Sequence, residues 1–129
     1  MQVGDIIEHT FVIDEDTHRQ FIALSGDSNP LHTNRDFARG KGFPDIVMHG
    51  NILNCFISFL IGELLPQDNV MILSQEIKFI KPVFLNETLL LHAEIREYFE
   101  FIPGYEIKFR FRNNANENKA SGVILIKLL

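Results

Sequence analysis

"HGNILNCFISFLIGELLP", His49 to Pro66, is the stretch around which the rest of the chain must be arranged. Ile52, Leu53, Phe56, Ile57, Phe59, Leu60 and Ile61 would surround the axis of a helix here, and a helix apolar on every side is a buried one. Gly50 opens it and Pro66 stops it, so the expected helix runs from about residue 50 to 64. Its apolar run holds Asn54, Ser58, Gly62 and Glu63, which makes it too polar, as well as too short, to cross a bilayer. Asn54, Ser58 and Gly62 are spaced four apart and share one face, a stripe expected to point at something polar. Ser58 is expected as a buried hydroxyl in need of a partner, and Cys55 as core filler rather than a nucleophile.

What lies beyond Pro66 has a different period. "VMILSQEIKFI", "ETLLLHAEIREYFE", "YEIKFRFRN" and "SGVILIKLL" are apolar-rich segments parted by turn signals such as "PVFLNE", "IPG" and "NNANEN". In "EIKFRFR", Ile107, Phe109 and Phe111 alternate with Lys108, Arg110 and Arg112, giving one inward face and one wet, basic face. On the other side of the helix, "IIEHTFVI" reads as an opening strand. "DEDTHRQFIALSG" reads as a short helix with acids in its first turn and Gly26 at its end. "NRDFARGKGFPD" suggests one helical turn plus coil. About five strands and one buried helix imply an α+β fold, a single domain over residues 1–129 in which an antiparallel sheet wraps around the helix.

Composition bounds the function. Hydrophobic residues make up 46% and charged residues 22%, as in a globular chain. A formal charge of −5 argues against a nucleic-acid partner, which needs a basic face. The single cysteine rules out an internal disulfide and suits a reducing cytoplasm. "MQVGDIIEHT" lacks the basic start and apolar run of a signal peptide, so the expectation is a soluble, cytoplasmic protein with no membrane partner. The histidines at 9, 18, 32, 49 and 92 show no close metal-ligand spacing, and no phosphate-binding glycine fingerprint is present, so no metal or redox cofactor is expected.

"SGDSNPLH", Ser25 to His32, is longer than a turn requires. It can be read as a helix exit and bend, or as a site that sets Asp27 and His32 on either side of a proline-stiffened corner. His49–Gly50 at the helix start adds free backbone N–H groups able to polarise a carbonyl oxygen.

The stretch "FIALSGDSNPLHTNRDFARGKGFPDIVMHGNIL" resembles the hydratase signature of the MaoC-like family, the (R)-specific enoyl-CoA hydratases and related acyl dehydratases of hot-dog fold. The likeness continues through "IKFIKPVFLNETLLLHAEI" and spans roughly residues 17 to 95. It implies a hot-dog domain in which Asp27 and His32 are the catalytic pair and the Gly50 N–H stabilises an enolate-like oxygen. Asn29, Ser58, His49 and Asn51 would support the site, His49 structurally. It implies reversible syn hydration of trans-2-enoyl thioesters to (R)-3-hydroxyacyl thioesters, carried on coenzyme A or an acyl carrier protein. The chain departs from the family pattern at Asn34, where an Asp is common, at Asn51, where a small or sulfur-bearing residue is usual, and at "LNET". Exposed sheet edges imply a homodimer. Lys108, Arg110, Arg112, Lys78 and Lys81 form a solvated face or meet phosphates or an acidic carrier. A hot-dog thioesterase and a non-catalytic acyl-thioester binding subunit are the competing readings.

Overall fold

A computed structural model describes residues 1–129 and places the long apolar helix against one face of a single five-stranded antiparallel sheet. The strands are β1 (Ile6–Val12), β2 (Val70–Phe79), β3 (Thr88–Phe99), β4 (Gly104–Asn113) and β5 (Asn118–Leu128), in the order β1-β3-β4-β5-β2. The last three join through short connections, while β1 and β2 form the two edges. Asn116, at φ 61°, takes the left-handed turn between β4 and β5 within "NNANEN". Asparagine tolerates that region better than most residues. In β4, Ile107, Phe109 and Phe111 are buried, and Lys108 and Arg110 are exposed, as their alternation predicts.

The helices precede the second edge strand. They are α1 (Glu15–Ser25), α2 (Pro30–Thr33), α3 (Arg35–Gly40) and α4 (Ile52–Phe59). Asp14 caps α1 by accepting from the Thr17 N–H at 2.8 Å, a bond that holds its carboxyl below the usual carboxylate range. Gly26, at φ 72°, ends α1 in the left-handed conformation, its N–H donating to Ile22 C=O at 2.8 Å. The "SGDSNPLH" segment is thus less of a loop than its composition suggests, since its second half is the single turn α2, with Pro30 at the first helical position.

The central helix differs from expectation in three respects. It begins at Ile52, so Gly50 lies in the turn before it. Past Phe59 it continues as a π-helical segment, Leu60–Leu64, before Pro66. It is also not buried all round. Ile52, Leu53, Ile57 and Leu60 pack into a core with Leu89, Leu91, Ile95, Ile107, Phe109 and Ile124, each such side chain contributing about 1.5–3 kcal/mol. The opposite side is uncovered in the single chain: Cys55, Ser58 and Phe59 are exposed. A sheet on one side can cover only one side of a cylinder. Cys55 is therefore not core filler, and Ser58 is not a buried hydroxyl.

Candidate active site

Gly26 turns the chain so that Ser25 to Thr33 folds on its own side chains. Ser25 Oγ accepts from the Asp27 N–H at 3.1 Å, and Asp27 Oδ1 accepts from the Asn29 N–H at 3.1 Å. Asn29 Oδ1 in turn caps α2 by accepting from the Leu31 N–H at 3.0 Å. Asn29 thus ties this loop to the start of α2. With Oδ1 of Asp27 engaged on the backbone, Oδ2 faces two imidazoles, 3.7 Å from His49 Nε2 and 4.0 Å from His32 Nε2.

Each ring is fixed by a carbonyl, which can only accept. His32 Nδ1–H donates to Val47 C=O at 2.7 Å, so the neutral ring presents a bare Nε2 lone pair on the side of Asp27. His49 Nε2–H donates to the Asp27 backbone C=O at 2.9 Å. The His49 ring is 3% exposed and stacks on His32, with ring centres 3.9 Å apart at 28°. His49 thus ties the aspartate's backbone to the ring that faces its carboxylate.

A residue outside the motif completes the clamp. His18, on α1 and nearly buried, donates from Nε2 to the His32 C=O at 3.0 Å. Burial, followed by the neighbouring His49 and His32 rings, lowers its pKa, while the bond to the His32 carbonyl partly opposes this. His18 shares a helix face with Phe21 and Ile22, a 3–4 spacing readable from the sequence. Its partner, a backbone carbonyl on the next helix, is not.

His32, Gly50 and Asn51 line a cavity of about 420 Å³ whose remaining wall includes Phe43, Val47, Met48, Leu53, Phe79 and Val83. Asp27 lies outside that lining, its side chain about half exposed, and meets the cavity through His32. Ser58 does not line the cavity. The Gly50 N–H bonds to no backbone acceptor in the chain. A Cβ at Gly50 would sit 2.9 Å from the Phe79 ring, so glycine lets that ring close over the turn.

The separation of Asp27 Oδ2 and His32 Nε2, 4.0 Å, is too long for a direct hydrogen bond. A water about 2.8 Å from each would complete a triangle with a roughly right-angled apex. Both neighbours are acceptors, so such a water would donate both protons inward and turn its oxygen lone pairs outward.

Asp27, His32 and His49 also bring three potential ligand atoms within 4.8 Å of one another, a juxtaposition their sequence spacing does not reveal. His49 offers its protonated Nε2, already donating to Asp27 C=O, whereas a ligating imidazole must present a bare nitrogen.

Residues 5–117 match the family model described as the MaoC like domain. The chain belongs to the MaoC-like domain family. It is 31% identical over 108 residues to the (R)-specific enoyl-CoA hydratase of Aeromonas caviae, covering 84% of this chain and 81% of that protein. It is 26% identical over 119 residues to the mitochondrial 3-hydroxyacyl-[acyl-carrier-protein] dehydratase of Arabidopsis thaliana, covering 92% and 70%. Among solved structures, the (R)-hydratase from A. caviae involved in PHA biosynthesis superposes with a TM-score of 0.92 at 27% identity, covering 100% of this chain and 98% of that one. This MaoC-like chain therefore has the hot-dog fold expected of it.

Proposed function

We propose that the protein is a carbon–oxygen lyase that adds water reversibly to trans-2-enoyl thioesters, giving (R)-3-hydroxyacyl thioesters. The observation that carries this reading is the facing of Asp27 Oδ2 and His32 Nε2 across a one-water gap, with His32 at the wall of an apolar cavity. The hydratase and dehydratase names of its relatives support it.

In this reading the water between the two acceptors directs a lone pair at the substrate's β-carbon. As the new C–O bond forms, one O–H bond breaks and its proton passes to the Asp27/His32 pair. The C=C electron pair moves toward the thioester carbonyl, and the Gly50 N–H donates to the resulting enolate-like oxygen. The proton then returns from the pair to the α-carbon on the same face, so the addition is syn. If His32 holds the proton in between, the adjacent carboxylate stabilises its imidazolium. Coenzyme A or an acyl carrier protein presents the acyl group, and these residues use no metal or redox cofactor.

Purified protein mixed with crotonyl-CoA should remove the enoyl absorbance without releasing thiol. Thiol release would replace this reading with a thioesterase, and no change with crotonyl-CoA or its carrier-protein thioester would leave a binding subunit.

We also propose a homodimer. Edge strand β2 exposes Met71, Ile72, Leu73 and Phe79, and the uncovered side of the central helix adds Phe59. An apolar edge with unpaired backbone groups invites a second strand, and a second copy offers the same edge. Light scattering should give twice the 14.9 kDa chain mass. A monomer at micromolar concentration would exclude the pairing.

No helix is long and apolar enough to cross a membrane. A reducing cytoplasm is the compartment that the single cysteine suits.

A further inference from the structure

Asn51 occupies the position just before α4, where an asparagine usually turns back to cap the helix. Here it makes no side-chain cap bond. Its Oδ1 instead accepts from Asn54 Nδ2 at 3.1 Å, and Asn54 Oδ1 accepts from Gln75 Nε2 on β2. A side-chain amide has one acceptor oxygen and one donor NH₂. A relay running from Gln75 through Asn54 to Asn51 therefore occupies the Asn51 oxygen and leaves its NH₂ free, on a side chain that lines the cavity.

The charged groups on the same wall are already paired. Lys119 Nζ is held by Glu87 at 3.1 Å and donates to Pro82 C=O at 2.9 Å, and Lys81 pairs with Glu117 at 2.6 Å. The Asn51 amide is the neutral side-chain donor left over, next to the Gly50 N–H and among Phe43, Leu53 and Phe79. A hydrocarbon tail lying there would strip water from that amide and give nothing back.

We propose that Asn51 is a specificity-determining residue that donates to an acceptor oxygen on the acyl chain, so that the preferred substrates are oxygenated enoyl thioesters. This rests on the acyl-thioester reading above and narrows its substrate class. The relay orients the donor, and an acyl chain that covers this exposed amide on binding without offering an acceptor leaves it unpaired.

The test compares pairs of trans-2-enoyl-CoA substrates in which one methylene is replaced by an ether oxygen at successive positions. Trans-2-hexenoyl-CoA against 4-methoxycrotonyl-CoA is the first pair. The readout is the ether-to-carbon ratio of kcat/KM in the wild type divided by the same ratio in Asn51→Leu, which cancels the oxygen's intrinsic effect on reactivity. About tenfold is expected at one oxygen position, the worth of one neutral hydrogen bond. Gln75→Leu, which cuts the relay on edge strand β2 at a position exposed in the single chain, should shift the same quotient by a few fold, and it stands in if Asn51→Leu does not fold. A quotient near one at every position overturns the proposal. So does an equal loss on both members of each pair, which would move the contact to the carrier arm. Crotonyl-CoA runs alongside: if the wild type does not hydrate it or any other member of the series, the hydratase reading has failed rather than the role of Asn51.

Discussion

Asp27→Asn should lower kcat/KM for crotonyl-CoA hydration by about 10³-fold or more, and His32→Gln by a comparable factor. Asn at 27 keeps the size of the side chain and an oxygen to accept from the Asn29 N–H, so the loop keeps its shape. What it loses is the anionic Oδ2 that faces His32 across 4.0 Å. An amide there cannot take a proton from water, and it no longer stabilises a protonated imidazole. Gln at 32 removes the ring nitrogen on the other side of the same gap. Because both groups hold one water, the double variant should be barely slower than the worse single variant; near-additive losses would mean that the two act on separate steps. The assay is loss of enoyl absorbance under saturating and limiting substrate, with circular dichroism to show that each variant is folded. Asp27→Asn retaining activity within tenfold of the wild type would remove the carboxylate from the chemistry.

Most of this arrangement was readable from the sequence because it depends on local chemistry. The alternation of Ile107, Phe109 and Phe111 with basic residues fixes which face of β4 is inward, and the turn geometry at Gly26, Asn29 and Pro30 follows from the residue types themselves: no Cβ, a short capping amide and a closed ring. The His–Gly turn could be placed because Pro66 and the apolar run locate the helix that follows it. What could not be read depends on partners distant along the chain. An apolar periodicity shows that Cys55, Ser58 and Phe59 belong to a largely apolar helix, but not that the chain's only sheet covers the other side. His18 is visible as part of a helix face, yet its role lies in the His32 carbonyl it reaches, and carbonyls leave no mark in a sequence. The same holds for the Val47 carbonyl that sets the His32 tautomer. The Asn51–Asn54 spacing is local, but the relay is oriented only by Gln75, which arrives from the edge strand.

Gly122→Ala should destabilise the fold by about 3 kcal/mol or more, although a glycine-to-alanine change helps where alanine fits the backbone and the space around it. Alanine reduces the entropy of the unfolded chain and on that account stabilises by about 0.4–1 kcal/mol where it fits. At Gly122 it does not fit. A Cβ would stand 1.9 Å from the Glu76 carbonyl oxygen and 2.6 Å from the Phe109 ring, whose residue is its cross-strand neighbour. Phe109 is 1% exposed and lies over the bare β5 backbone at this point, so neither the ring nor the β2 backbone can give way without opening the core. Forced overpacking of that kind costs about 1–3 kcal/mol through displaced side chains alone, and the backbone clash adds to it. Gly62, in the π-helical segment with nothing within 4 Å of a Cβ, is the internal control. Gly62→Ala should raise the urea midpoint slightly while Gly122→Ala lowers it sharply, and the contrast separates close packing from glycine's backbone freedom. If Gly122→Ala leaves the midpoint at or above the wild-type value, the close approach of β5 to the Glu76 carbonyl and the Phe109 ring does not constrain this fold.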